Sequence, residues 1–223
     1  MADEYGTLYV VATPIGNLSD ISERAIETLR ACDVIACEDT RVTGNLLRKF
    51  DISKEMFVNE DSRERAVAPV LLSILKSGRN VALVSDAGTP CISDPGFRIV
   101  RACRAEGVKV VPMAGACAFA AALSASGLPS DSFLFAGFLP AKTSARKNFF
   151  EKYKDFAHTL IFYEGVKIDT DILQIPHPRW HERDFVLSPL SDIKTALEKI
   201  DFKCDVMQKL STYQKKYEPI STL

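Results

Sequence analysis

The sequence predicts an α/β protein of two domains, with a parallel sheet in the first and a mixed α/β second. Three observations carry this. Short runs rich in branched apolar residues alternate with stretches of helical periodicity, the pattern of right-handed β-α-β crossovers. Four of the five runs in the first part end in polar or small-residue loops, which a parallel sheet gathers at one edge. Near Gly127-Leu128-Pro129 the alternation changes character, so domains are expected over 1–129 and 130–223.

Each element has its own signal. Residues 7–12 are rich in β-formers and end in the loop Thr13-Pro14-Ile15-Gly16-Asn17. Ser19 or Asp20 is the expected cap of the helix that follows, which presents Ile21, Ala25, Ile26 and Leu29 to the core. Residues 34–37 form the second strand and run into Glu38-Asp39-Thr40-Arg41, followed by a helix carrying Leu46, Leu47 and Phe50. A short third strand over 56–59 precedes a helix over 63–76, with Gly78 as its stop. Residues 81–84 are wholly apolar and read as a strand buried on both faces. The loop that follows, 85–96, is longer than the usual ~2–6 residues of such connections, and two glycines and two prolines shape it; this marks it as a binding loop. The next helix, 97–106, has Ile99, Val100 and Cys103 on one stripe. A fifth strand over 108–111 leads to a small-residue loop and an Ala-rich helix over 117–126. In the second part, strands over 133–138 and 159–163 flank a basic amphipathic helix over 142–156. Further on, Ile175-Pro176-His177-Pro178 breaks regular structure and residues 191–200 read as helical, with Ser191 as the cap.

Composition excludes several classes. The 223 residues are 47% hydrophobic and 26% charged, with net charge -1, so no global basic field draws the chain to nucleic acid and any RNA contact must be a local patch. None of the six cysteines stands in a C-x-x-C spacing, which argues against zinc, and free thiols in apolar runs fit a reducing, cytoplasmic compartment. Residues 1–6 are too polar for a secretory leader, and no apolar run approaches the ~20 residues of a membrane span.

Familiar catalytic signatures are missing. There is no G-x-G-x-x-G, no phosphate-binding G-x-x-x-x-G-K-[ST] and no G-x-S-x-G, and all three histidines lie after residue 157. His177 and His181 have a helical metal-ligand spacing, but Pro178 between them defeats a regular helix, so no metal is expected. What remains is a set of small-residue loops and the carboxylates Asp39, Asp86 and Asp94. Small residues let a ligand lie against the backbone, and carboxylates accept bonds from ribose hydroxyls or sit beside a positive centre. A sulfonium cofactor asks for both. Asp39 equally suits a helix cap, and Arg41 is either a surface charge or an anchor for a substrate phosphate.

Residues 8–18, Glu38-Asp39-Thr40-Arg41, the 85–96 loop, residues 133–140 and Leu160-Ile161-Phe162-Tyr163-Glu164 resemble the ribosomal RNA small subunit methyltransferase I family of the tetrapyrrole methylase superfamily. The resemblance covers residues 7–164. It implies a two-domain tetrapyrrole methylase-like fold, with S-adenosyl-L-methionine in the cleft between domains. It also implies a homodimer that methylates the 2′-hydroxyl of a cytidine in 16S ribosomal RNA of the small subunit. Carried over by motif, the cofactor meets Pro14, Ser85, Asp86, Ala87, Thr89 and Ile92, then Ala114, Gly115, Ala116, Cys117 and Ala118, and finally Tyr163. The chain departs from the family where Ala114-Gly115-Ala116-Cys117-Ala118 replaces Pro-Gly-Pro-Ser-Ala, where Cys91 replaces Gly, and where Gly165-Val166-Lys167-Ile168 replaces Ser-Pro-His-Arg. Two alternatives stand beside the RNA methyltransferase: a same-fold enzyme acting on a tetrapyrrole or other small molecule, and a degenerate member that binds RNA or a partner without turnover. The expected RNA-binding residues are Arg41, Arg48, Lys49, Lys142, Arg146 and Lys147. With no histidine in the first-domain loops, Asp39 is the expected general base, and Arg41 keeps it ionised.

Overall fold

The computed structural model describes residues 5–164, together with the backbone of 168–170 and 173–175. The chain divides into two compact units, Met1–Ala121 and Ala122–Leu223. The expected helix over 191–200 and the His177/His181 pair lie outside the described residues.

The first unit is built on five strands: β1 (Leu8–Val11), β2 (Val34–Cys37), β3 (Glu55–Val58), β4 (Val81–Val84) and β5 (Val110–Met113). They pair in the order β3-β2-β4-β1-β5, and every pairing is parallel. The intervening helices are α1 (Glu23–Ala31), α2 (Thr40–Lys49), α3 (Glu64–Lys76) and α4 (Phe97–Ala105). From β1 to β3 the chain steps toward one side of the sheet; from β3 to β5 it steps back. Right-handed crossovers then put α1 and α2 on one face and α3 and α4 on the other.

The core shows that partition. Leu8, Val34, Ala36, Val81 and Leu83 pack with Ala68, Leu71 and Leu75 of α3 and with Ile99 and Cys103 of α4. Alternate residues along the same strands, Val11, Ile35, Cys37, Ala82 and Val84, pack with Ala25 and Leu29 of α1 and Leu47 of α2. A two-residue period with both faces covered explains why β2 and β4 are apolar throughout. Leu71 is fully buried, and truncating such a leucine to alanine removes about 2–5 kcal/mol.

Two local expectations are corrected. Ser22, not Ser19 or Asp20, caps α1: its hydroxyl accepts from the Ala25 N–H at 3.2 Å. Asn17 instead caps a 3₁₀ turn over Leu18–Asp20, which delays the helix. The fifth strand runs Val110–Met113 rather than 108–111, so Pro112 lies inside it. Among the described residues β5 pairs only with β1, and an edge strand tolerates a residue that cannot donate to a further neighbour.

In the second unit β6 (Phe133–Phe138) and β7 (Thr159–Tyr163) pair in parallel, connected through α6 (Thr143–Tyr153). Phe149 and Phe150 of α6 meet Phe162 of β7 edge-on, with centroids 6.3 and 5.8 Å apart. A register shift between Phe135 and Phe138 coincides with Gly137 at φ +69°. β8 (Ile168–Thr170) and β9 (Leu173–Ile175) form an antiparallel pair. α5 (Ala118–Ala125) spans the division between the units. Among the described residues no helix is long and apolar enough to cross a membrane.

Asn59, just past β3, has an unfavourable place in this core. It is 1% exposed, and its backbone N–H donates to the Cys37 carbonyl at 2.7 Å. Neither atom of its side-chain amide finds a hydrogen-bond partner among the described residues. Burying an unpaired polar group costs about 1–3 kcal/mol, and a similarly shaped apolar side chain avoids that cost. Asn59→Leu is therefore expected to raise the thermal midpoint in a melting curve; a lowered midpoint would mean that the amide is paired in solution.

Candidate active site

Because the strands are parallel, the residues that follow them gather at one edge. Outgoing connections diverge between β2, which leads toward β3, and β4, which leads toward β5. Such a point opens a crevice where α/β sheets bind ligands. The two loops flanking it are Glu38-Asp39 and Ser85-Asp86, and they are tied to each other. The Asp39 N–H donates to Asp86 Oδ1 at 3.2 Å, and the Asp86 N–H donates to Glu38 Oε2 at 3.3 Å.

The loop after β4 is held from three sides. Thr13 and Gly88 form a two-bond bridge, Thr13 N–H to the Gly88 carbonyl at 2.8 Å and Gly88 N–H to the Thr13 carbonyl at 3.1 Å. The Thr13 hydroxyl adds a bond to the Ser85 carbonyl at 3.0 Å, joining the loops after β1 and β4. Toward β5, the Thr89 hydroxyl donates to the Ala116 carbonyl at 2.9 Å. At the far end, Gly96 adopts φ +130°, where a Cβ would lie 2.7 Å from Leu83 Cδ2 and 2.8 Å from Cys91 Sγ. Only glycine fits that turn. Cys91 and Ser93 also take positive φ, +69° and +64°, so the loop stores backbone strain that its surroundings enforce.

Glu64 supplies the third support. It lies in the first turn of α3, is 7% exposed, and has no part in α3's own capping. Its Oε1 accepts from the Gly96 N–H at 2.9 Å and from the Arg98 N–H at 2.7 Å, while Oε2 faces Arg98 Nε at 3.6 Å. α4 has no cap from its own Gly96, so a carboxylate from α3 occupies its positive N-terminus.

The motif residues expected at the cofactor fall on this edge in part. Pro14, Ser85, Asp86, Ala87, Thr89 and Ile92 lie on the loops after β1 and β4, and Ala114, Gly115, Ala116, Cys117 and Ala118 follow β5. Gly115 lies so close to β1 that a Cβ there would sit 2.7 Å from Ala12 Cβ. Tyr163 belongs to the second unit, where its ring packs edge-on with Phe135 and Phe138 at 4.8 and 5.4 Å.

Electrostatics separates the carboxylates. Asp39 caps α2, accepting from the Arg41 N–H at 2.8 Å, and its oxygens also take Arg41 Nε at 3.0 and 3.1 Å and Nη2 at 2.5 Å. Arg41's hydrogen bonds hold the Asp39 carboxyl down to about 2. The same pairing lowers the proton affinity of Asp39, which weighs against a role as general base near neutral pH. Burial pushes Glu38 and Asp94 the other way, reinforced for both by the charges of Asp86 and Asp61, and for Glu38 also by that of Asp94. Asp86 is more open to solvent, yet burial around its carboxyl is still the leading cause of its upward shift. Cys91, beside Glu64 and Asp94, is pushed up to about 11, chiefly by burial, and is an inert thiol at neutral pH.

Of the residues expected at RNA, Arg41, Arg48, Lys49, Lys142 and Lys147 are exposed. Arg146 is not free: it pairs with Glu164 at 3.0 Å and donates to the Pro140 carbonyl at 3.1 Å, bracing the second unit. Glu38 and Glu64 escaped sequence reasoning. Glu38 had a signal, standing directly after a buried strand; Glu64 had none, because its partners lie 32 and 34 residues away. Among the described residues no group of three His, Cys, Asp or Glu side chains is placed to hold a metal.

A doubly wound sheet with carboxylates clustered at its carboxyl edge and a helix start held by the Glu64 carboxylate defines a class of α/β domain. The chain belongs to the tetrapyrrole (corrin/porphyrin) methylases, whose family model matches residues 7–201. It is 53% identical, over 78% of its own length and 62% of the relative's, to a ribosomal RNA small subunit methyltransferase I of Haemophilus influenzae. It is 52% identical, over 76% of its length and 59% of the relative's, to one of Escherichia coli O157:H7. The chain thus spans about three fifths of the curated relatives it matches. In fold it is similar to a diphthine synthase crystal structure, with TM-score 0.57 and 18% identity over 74% of this chain and 66% of that one.

The raised carboxylates make a stability prediction. Glu38 holds its proton more tightly when folded than unfolded, so its cost is absent below the ordinary carboxylate range and grows as pH rises through that range. Glu38→Gln keeps an acceptor for the Asp86 N–H and removes the charge. The variant should melt above the parent at neutral pH and level with it near about pH 3.5. Equal midpoints at both pH values would show that the ionised form carries no penalty.

Proposed function

We propose that the chain binds S-adenosyl-L-methionine at the carboxyl edge of the first sheet. In this reading it methylates the 2′-hydroxyl of a cytidine in 16S ribosomal RNA of the small subunit, as a cytoplasmic homodimer. One observation carries the cofactor reading. The crevice is ringed by Glu38, Asp39, Asp86 and Asp94, and the α4 N-terminus is already filled by the Glu64 carboxylate. A pyrophosphate would meet negative charge where dinucleotide-binding folds offer a bare helix start; a sulfonium meets the opposite charge. The name shared by the relatives, ribosomal RNA small subunit methyltransferase I, supports the RNA substrate.

The roles follow from chemistry. Bound there, S-adenosyl-L-methionine supplies a methyl group activated by its positive sulfur. Pro14, the Ser85-Asp86-Ala87 turn, Thr89, Ile92 and residues 114–118 hold it against backbone. The protein's main task is alignment of hydroxyl oxygen and methyl carbon, which can lower a barrier by up to about 7–11 kcal/mol. Arg41, fixed by Asp39 at the start of α2, engages a phosphate next to the target ribose. Asp86 faces the same crevice with a raised proton affinity and takes the hydroxyl proton. General-base help of this kind contributes about 10²–10⁴-fold.

Two experiments test this. In single-turnover methylation of small ribosomal subunits lacking the modification, at saturating cofactor, Asp86→Asn should lose about 10²-fold or more and Asp39→Asn less. Equal losses would return the base to Asp39, and an inactive parent that fails to bind the cofactor in calorimetry would remove the methyltransferase reading. RNA affinity should lean on Lys142 and Lys147, since Arg146 is engaged within its own unit. Replacing both lysines with alanine should reduce the salt slope of RNA binding by about 2, with an unchanged melting point. An unchanged slope would place the RNA on another face.

A further inference from the structure

We infer that Glu64 is the positioning residue of the cofactor loop, acting on the ligand only through Gly96 and α4. This rests on the cofactor reading above. Glu64 stands in the first turn of α3, on the α3/α4 face of the sheet, and among the described residues its hydrogen bonds to this stretch go to Gly96 and Arg98. Its one oxygen nevertheless gathers the two N–H groups that open α4. The loop from Ser85 to Gly96 is therefore fixed at both ends. β4 and the Thr13–Gly88 bridge hold the start; Glu64 holds the finish.

Between the two anchors the loop is tied at Thr89, whose hydroxyl donates to the Ala116 carbonyl at 2.9 Å, and at Ile92, whose N–H donates to the Thr89 carbonyl at 3.3 Å; past Ile92 the next backbone hydrogen bond among the described residues is the one from the Gly96 N–H to Glu64. Cys91 and Ser93 hold positive φ, which side chains other than glycine disfavour, and Ile92 and Ser93 are exposed. Such a segment relaxes unless both ends are pinned. Asp94 lies within it, two residues before Gly96, and Asp86 opens it. Releasing the finish lets the strained stretch swing away from the crevice, and the ligand then has to restore it on binding. That ordering cost appears in affinity, not in the methyl-transfer step.

The geometry also says which feature of Glu64 matters. Oε1 makes both helix-start bonds, whereas the charge-to-charge contact with Arg98 is longer, at 3.6 Å, and Arg98's side chain is 56% exposed. A screened contact of that kind contributes little. A glutamine retains an oxygen that accepts both N–H groups; an alanine retains none.

The test compares Glu64→Ala, Glu64→Gln and parent. Amide hydrogen exchange on the ligand-free proteins reads the loop directly: Gly96, Arg98 and the 89–95 segment should exchange faster in Glu64→Ala and as in the parent in Glu64→Gln. Calorimetry with S-adenosyl-L-methionine, well below the melting point of each variant, should show affinity about tenfold weaker for Glu64→Ala, with near-parent affinity for Glu64→Gln. The maximal single-turnover rate at saturating cofactor should be unchanged in both. A residue that merely stabilises the fold would lower the melting point and leave exchange in 89–95 and the affinity at parent values; that result overturns the proposal. So does a glutamine variant as impaired as alanine, which would make the charge the active feature. If the parent binds no cofactor, the function proposed above fails, and the exchange comparison still decides whether Glu64 pins the loop.

Discussion

Negative charge confined at the end of a buried sheet is the constraint on which the site depends. Glu38 and Asp94 are partly withdrawn from water, Asp86 adjoins them, and all three hold their protons more tightly than free carboxylates do. Nothing in a hydrophobic core asks for that arrangement. It persists because the loops carrying these groups are tied down: Thr13 and Gly88 by backbone bonds, and the Asp39 and Asp86 N–H groups by bonds to the carboxylates of Asp86 and Glu38. Locked dipoles and charges cannot turn away from one another, so their mutual repulsion is relieved by a cation or a proton. A site that is uncomfortable when empty is selective when filled, since a neutral or anionic ligand of the same shape leaves the discomfort in place.

The scaffold divides its labour by face. One layer of helices, α1 and α2, closes the side from which the Asp39-Arg41 pair emerges; the other, α3 and α4, carries the brace on the long loop. Asp39 and Glu64 are both carboxylates at helix starts, but they are not equivalent. Asp39 caps its own helix, sits at the surface, and spends its oxygens on an arginine two residues away. Glu64 caps a neighbouring helix from within the core. The first arrangement orients a cation toward solvent, where a phosphate can reach it. The second converts the packing of two helices into the shape of a loop.

Most of the first sheet was legible in the sequence because its strands are buried on both faces and so carry unbroken apolar runs, as at Val34–Cys37 and Val81–Val84. The edge strand β5 was misplaced by two residues because an edge relaxes the rule that excludes proline. Ser22 was passed over since Ser19 and Asp20 are equally good caps in isolation, and only the intervening 3₁₀ turn decides between them. The small-residue loops announced a ligand edge through their composition. Which carboxylate is bound by a guanidinium was not legible: Asp39 and Asp86 look alike as letters, and the hydrogen bonds of Arg41 to Asp39 are a matter of geometry. Arg146 likewise read as a free cation until Glu164, 18 residues on, came to lie beside it.

The contact between Ala12 and Gly115 has a consequence for how this chain can change over generations. With a Cβ at 115 placed 2.7 Å from the methyl of residue 12, the two positions share room for one methyl group. Enlarging either alone pushes β1 away from the loop after β5 and opens the seam of the sheet beside the ligand edge. The positions are therefore epistatic: a step at 115 is passable only after residue 12 has shrunk to glycine, and the reverse order crosses a less stable intermediate. Variation at the two sites should travel in pairs, so a library that randomises one of them alone samples mostly broken sheets.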